Sequence, residues 1–175
     1  MIKQTTVAAL TTAAALTLPA VAGAHVTMQP GHAPAGSFTK LDVRVPNERD
    51  NRGTVKVVLK LPDGFHFLSY QKVPGWSVRV YREKLDTPVD LGDFSVDEQF
   101  TRVVWRARNP RRDRIAPGQF QDFPLSVRTP DGAPGTVISF RAIQTYQGGE
   151  VVRWAGPPSA DAPGPRITLT ASEEH

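Results

Sequence analysis

Four histidines, His25, His32, His66 and His175, form the nitrogen-ligand stock of this chain, which has no cysteine and two methionines. His25 holds the position with the most chemistry. Met1-Ile2-Lys3 gives a short basic start, a run of apolar and small residues follows from about Val7 to Val21, and Ala22-Gly23-Ala24 closes it. A basic start, a short apolar core and an A-x-A site make a secretory signal peptide. Cleavage after Ala24 would leave His25 as the first residue, with its free α-amine and its imidazole Nδ1 able to close one chelate ring. The amine titrates near ~7.7–8.0 and the imidazole near ~6.5, so proton competition at neutral pH is modest. Two nitrogens with an added carboxylate or water suit a tetragonal Cu(II) ion. A histidine left there by cleavage alone, with no metal role, is the competing reading.

The other candidates are weaker. His32 falls in the Gly31–Ala35 turn and His66 within Phe65–Leu68. Either would be the second histidine that a copper-monooxygenase type of brace requires, although surface or hydrogen-bonded histidines are the commoner case. His175 ends the chain and reads as incidental. Met28 lies three residues after His25, so an extended chain turns it to the opposite face, toward a core. With no thiolate and one methionine after the leader, the soft sulfur donors that favour Cu(I) are missing. No G-x-S-x-G elbow, H-E-x-x-H helix or Gly-rich phosphate loop occurs, which argues against an enzyme.

The elements that must position these residues read as strands. Apolar residues alternate through Phe38–Val45, which stops at Pro46, and Thr54–Leu61, which stops at Pro62-Asp63-Gly64. Further strands are expected at Phe65–Ser69, Trp76–Arg82, Phe100–Arg106, Phe120–Arg128, Thr136–Tyr146, Val151–Trp154 and Arg166–Thr170. Sixteen prolines and fourteen glycines interrupt the chain too often for long helices. The pattern predicts an all-β, immunoglobulin-like sandwich of about seven to nine strands, with a closed barrel as the alternative. The expected organisation is a signal peptide over 1–24, one β-sandwich domain over 25–171 and a flexible tail over 172–175. Without the leader, 20 basic and 17 acidic residues remain, a net charge of +3. The basic residues are scattered singly, apart from Arg111, Arg112 and Arg114 in a loop, so no nucleic-acid partner is expected. Absence of cysteine in an exported chain means that the core stabilises the fold without disulfides.

Several segments together carry a family resemblance. They are His25-Val26-Thr27 with Pro30, Ala35-Gly36-Ser37, Val43-Arg44-Val45-Pro46-Asn47-Glu48-Arg49-Asp50, Leu61-Pro62-Asp63-Gly64 and Pro74-Gly75-Trp76. Pro117-Gly118 through Pro124 and Tyr146-Gln147-Gly148-Gly149-Glu150-Val151-Val152-Arg153-Trp154 continue it in the same order. The chain so resembles the YcnI-like family of bacterial copper-binding proteins. The resemblance implies a single-histidine brace for Cu(II), with His25 as ligand through amine and imidazole, Glu48 as a second ligand and Trp154 beside the ion. Taken without it, Glu48 is a solvated carboxylate in a polar loop and Trp154 a core or rim aromatic. The function expected is a periplasmic or secreted Cu(II) chaperone or scavenger, passing its ion to another exported copper protein. A copper-dependent oxidase and a metal-free interaction sandwich are the alternatives. No small-molecule substrate is evident, and no transmembrane segment is expected in the mature chain, which ends at Ser172-Glu173-Glu174-His175.

Overall fold

The computed structural model describes residues 25–92 and 94–172; the leader, Asp93 and residues 173–175 lie outside the described part. The described residues form no helix and twelve strands. In chain order these are β1 Thr27–Gln29, β2 His32–Pro34, β3 Phe38–Pro46, β4 Thr54–Lys60, β5 Leu68–Tyr70 and β6 Trp76–Asp90. They continue with β7 Ser95–Ala107, β8 Phe120–Arg128, β9 Val137–Ser139, β10 Arg141–Tyr146, β11 Val151–Trp154 and β12 Arg166–Thr170. Accordingly, no helix among them is long and apolar enough to cross a membrane.

Alternation makes the sandwich. One layer is a four-stranded sheet in the order β1-β3-β8-β5, the other a five-stranded sheet in the order β11-β10-β4-β7-β6. Leu41, Val43 and Val45 of β3 and Phe123, Leu125 and Val127 of β8 are buried, and so are Val57 and Leu59 of β4 with Val103 and Trp105 of β7. Each set occupies every second position of its strand, so one face of each sheet is apolar and the two faces close on each other. Phe123 bridges the layers, with ring centroids 5.0 Å from both Trp76 and Trp105. A small third sheet, β2-β12-β9, seals one end with Ala33, Ile138, Ile167 and Leu169.

The fold class agrees with the expectation, and the strand count exceeds it for identifiable reasons. Strands β1 and β2 have three residues each, too few to display a period. His32 accordingly sits in strand β2, paired with Thr168 of β12, rather than in a turn. The expected Thr136–Tyr146 strand divides at Phe140 into β9 and β10, which belong to different sheets. Strands β6 and β7 run well past their expected ends as a two-stranded ribbon, paired as far as Asp90 with Ser95. Outside the sandwich neither face of a ribbon is buried, so selection for apolar alternation lapses there.

Candidate metal centre

His25 stands two residues before the start of β1, whose antiparallel register with β3 pairs Thr27 with Arg44 and Met28 with Val43. Continued by two residues, that register sets His25 level with Pro46, the last residue of β3. Val26 and Met28 point into the core, while His25 is only half-buried. The thioether of Met28 is thus withdrawn among apolar neighbours, as the spacing predicted. His25 meets Trp154 of β11: the ring centroids are 5.6 Å apart and the planes tilted by 56°.

Trp154 is held from behind. Its side chain is 4% exposed, and its indole Nε1 donates to Gln144 Oε1 at 3.0 Å. Gln144 projects inward from β10 and is fully buried. Its Nε2 donates to the Pro46 carbonyl at 2.8 Å and to Thr54 Oγ1 at 2.7 Å. One amide therefore joins the end of β3, the start of β4 and the tip of β11, with donors and acceptor all used, as burial demands. Glycines at 148 and 149, with φ of 83° and 89°, close the β10–β11 turn in a backbone region that favours glycine. That turn fixes the register in which Trp154 lies opposite Ala142, two residues from Gln144. Sequence reasoning missed Gln144, and its signal was there: a lone amide on the inward row between Ala142 and Tyr146.

The loop after β3 carries Glu48. Asn47, buried at its root, donates through Nδ2 to the carbonyls of Arg52 and Ile115, both at 2.8 Å, and accepts the Arg49 amide at 2.9 Å. Its backbone is also tied to Gln119 and Gly118. Glu48 itself is exposed. The cations beside it are engaged elsewhere: Glu150 pairs with Arg49 at 2.7 Å and with Arg52 at 3.2 Å. The hydrogen bond from Arg49, aided by the charges of Arg49 and Arg52, holds the Glu150 carboxyl below its ordinary range. Arg49 also lies 5.1 Å above the Tyr146 ring. Burial first, with the charges of Glu48 and Glu150 adding to it, pushes the Tyr146 phenol up. Glu48 has no salt-bridge or hydrogen-bond partner of its own among the described residues.

The remaining histidines stand apart from this cluster. His66 follows β4 at the end opposite Thr54, which over the seven residues of β4 is about 20 Å from the Gln144 hub. Its half-buried ring faces a hollow lined by Phe94, Asp97, Glu98 and Phe100, and its Nδ1 has no partner. His32 is exposed on β2, and His175 lies outside the described residues. Among the described residues no three His, Asp or Glu side chains converge on one point. A metal held at His25 would therefore draw on donors beyond a triad of side chains.

The comparisons with known proteins agree with this architecture. The family model described as "Domain of unknown function (DUF1775)" matches residues 25–169, beginning at His25. The copper-binding protein CutI of Bacillus subtilis (strain 168) is 32% identical over 155 residues, which cover 89% of this chain and 67% of that protein. A crystal structure of an uncharacterized protein from Nocardia farcinica, described as revealing an immunoglobulin-like fold, matches with a TM-score of 0.67 at 32% identity, over 83% of this chain and 98% of that one. Family model, relative and fold coincide, and the chain belongs to the DUF1775 family, that of the YcnI-like proteins.

Proposed function

We propose that this chain is an exported Cu(II) carrier, cleaved after Ala24, whose cargo is taken by the α-amine and imidazole of His25 with Glu48 as the counter-charge. The observation that carries the proposal is the seating of His25 on Trp154, an indole locked by Gln144. A first residue would ordinarily fray; this one is held against a fixed ring at the very start of the folded domain.

The donor set fits the ion. His25 offers nitrogen from a half-exposed position, Glu48 offers a carboxylate with no cation partner, and the sulfur of Met28 is buried in the core. Nitrogen and oxygen donors without sulfur favour Cu(II) over Cu(I). Trp154 would cover one side of the site and restrict water, and the half-open position of His25 would leave the ion within reach of an exported copper protein. The copper-binding relative and the family match beginning at His25 support the same reading.

An immunoglobulin-like sandwich related to a copper-binding protein supports a carrier over a catalyst. The test is a Cu(II) titration of the processed protein followed by an ascorbate-driven peroxide assay. Stoichiometric binding without turnover is expected. Sustained peroxide production would identify an oxidase instead, and absence of binding would leave an interaction module.

A further inference from the structure

The basic residues that look scattered along the sequence are gathered by the fold onto one surface. The outer face of the five-stranded sheet is formed by the residues that alternate with the core positions. In β4 and β7 the pairs Lys56–Arg106, Val58–Val104 and Lys60–Arg102 lie side by side there. Arg79 and Tyr81 of β6 extend the rows opposite Val104 and Arg102. Arg141 of β10 stands opposite Lys60, and Arg153 of β11 opposite Ile143. Seven cations thus share a patch of roughly 20 by 13 Å, and no acidic residue occupies any outward position within it. None of the seven forms a salt bridge among the described residues. On the opposite layer, by contrast, Lys40 pairs with Asp42 at 3.1 Å and Arg44 with Asp122 at 2.8 Å.

Like charges left together without counter-ions oppose folding, so an unpaired array of this kind calls for an external anion. Tyr81 registers the local field: a hydrogen bond with Arg79 and the charges of Arg79, Arg102 and Lys56 hold its phenol below the ordinary value. The apolar residues between the cations, Val58, Val104 and Ile143, are buried or half-buried, and Val151 at the edge of the patch is 38% exposed. Val58 is 7% exposed although it faces outward, covered by the stems of its long neighbours. A folded protein partner would seek exposed apolar anchors, and single-stranded nucleic acid would seek free aromatic faces. One face of the Tyr81 ring is already taken by the Arg102 guanidinium at 3.9 Å. A depression framed by Ser77, Arg79, Tyr81, Val104 and Arg106 opens on this face. A fluid anionic surface matches it best, because mobile headgroups can move to meet each cation.

We infer that the outer face of the sheet β11-β10-β4-β7-β6 is a docking surface for a membrane rich in anionic lipid. This is independent of the copper reading, and either can fail without the other. Each cation near such a surface contributes about fivefold in binding.

The experiment is flotation of the processed protein, which retains every strand and core residue, with phosphatidylcholine vesicles and with vesicles half of phosphatidylglycerol. Binding is expected to the anionic vesicles alone and is expected to weaken as salt is raised. The double substitution Lys60→Gln/Arg106→Gln, on exposed side chains, should lower it roughly thirtyfold. Lys40→Gln on the opposite layer, which also reports on folding, should leave it unchanged. Equal binding to neutral vesicles, no loss in the double variant, or tighter binding to duplex DNA than to anionic vesicles at equal phosphate would each overturn the inference.

Discussion

Replacing Gln144 by leucine tests the foundation on which the candidate site is built. The side chain keeps nearly the same size, so little cavity is created. What disappears is the partner of the Trp154 indole N–H and of the Pro46 carbonyl, along with one partner of the Thr54 hydroxyl. Trp154 and Thr54 are buried at 4% and 0% exposure, so water cannot replace the lost amide without disturbing the packing. A buried polar group left unpaired costs about 1–3 kcal/mol. Thr54 can turn to the Tyr146 hydroxyl, which leaves the buried indole N–H orphaned and the half-buried Pro46 carbonyl without its amide partner, a loss of about 3 kcal/mol. For a domain of this size that lowers Tm by roughly 6–12 °C. The same change frees the indole that seats His25, so Cu(II) affinity should fall in conditions where the variant remains folded. Thermal melts followed by circular dichroism give the first number and a Cu(II) competition titration the second. A Tm within about 2 °C of the parent would mean that the indole N–H is not left unpaired, since an orphaned buried donor costs more than such a shift represents.

Other expectations follow from the same geometry. Glu48→Gln should weaken Cu(II) binding and alter the electron paramagnetic resonance spectrum, while His32→Ala and His66→Ala leave that spectrum unchanged. Glu150→Gln breaks both the Arg49 and Arg52 pairs. Because folding lowers the Glu150 pKa from its ordinary 4.5, the pair's stabilisation is complete above that value and is lost as pH falls through the lower folded value. Urea midpoints of parent and variant should accordingly differ at neutral pH and converge in acid. Reduction should cost at least about tenfold in affinity, since the site holds no sulfur donor, as measured by paired competition titrations with Cu(I) and Cu(II) chelators.

The fold was legible where strands are long and one face is buried. Phe120–Arg128, Val151–Trp154 and Arg166–Thr170 coincide with β8, β11 and β12 residue for residue, and Phe38–Val45 falls one residue short of β3. The three-residue strands β1 and β2 and the far part of the β6–β7 ribbon were not legible, because each lacks either the length or the buried face that writes a period into sequence. At the site, His25 was marked by its chemistry as a first residue and by the cleavage pattern before it. The spacing offered no reason to join His25 to Trp154, since the two meet only through the ends of β1 and β11, which lie in different sheets. The family resemblance alone joined them. Gln144 and Asn47 escaped notice because a buried amide matters through partners distant in sequence: Pro46 for the first and Ile115 for the second. The cationic face escaped for a related reason. Lys56 and Arg106 are fifty residues apart in the chain and neighbours across a strand pair.

In the proposed site the α-amine of His25 is itself a ligand, and a comparison of two N-termini isolates its contribution. Two forms of the protein, one beginning at His25 and one carrying a single extra glycine before it, are titrated with Cu(II) against the same competing chelator. The extension keeps the imidazole, Glu48 and Trp154 and removes only the amine from the chelate ring. The glycine-extended form should lose at least about a hundredfold in affinity, roughly 2.7 kcal/mol, with a changed electron paramagnetic resonance spectrum and an unchanged Tm of the metal-free protein. Equal affinity and identical spectra for the two forms would contradict the amine's role as a ligand.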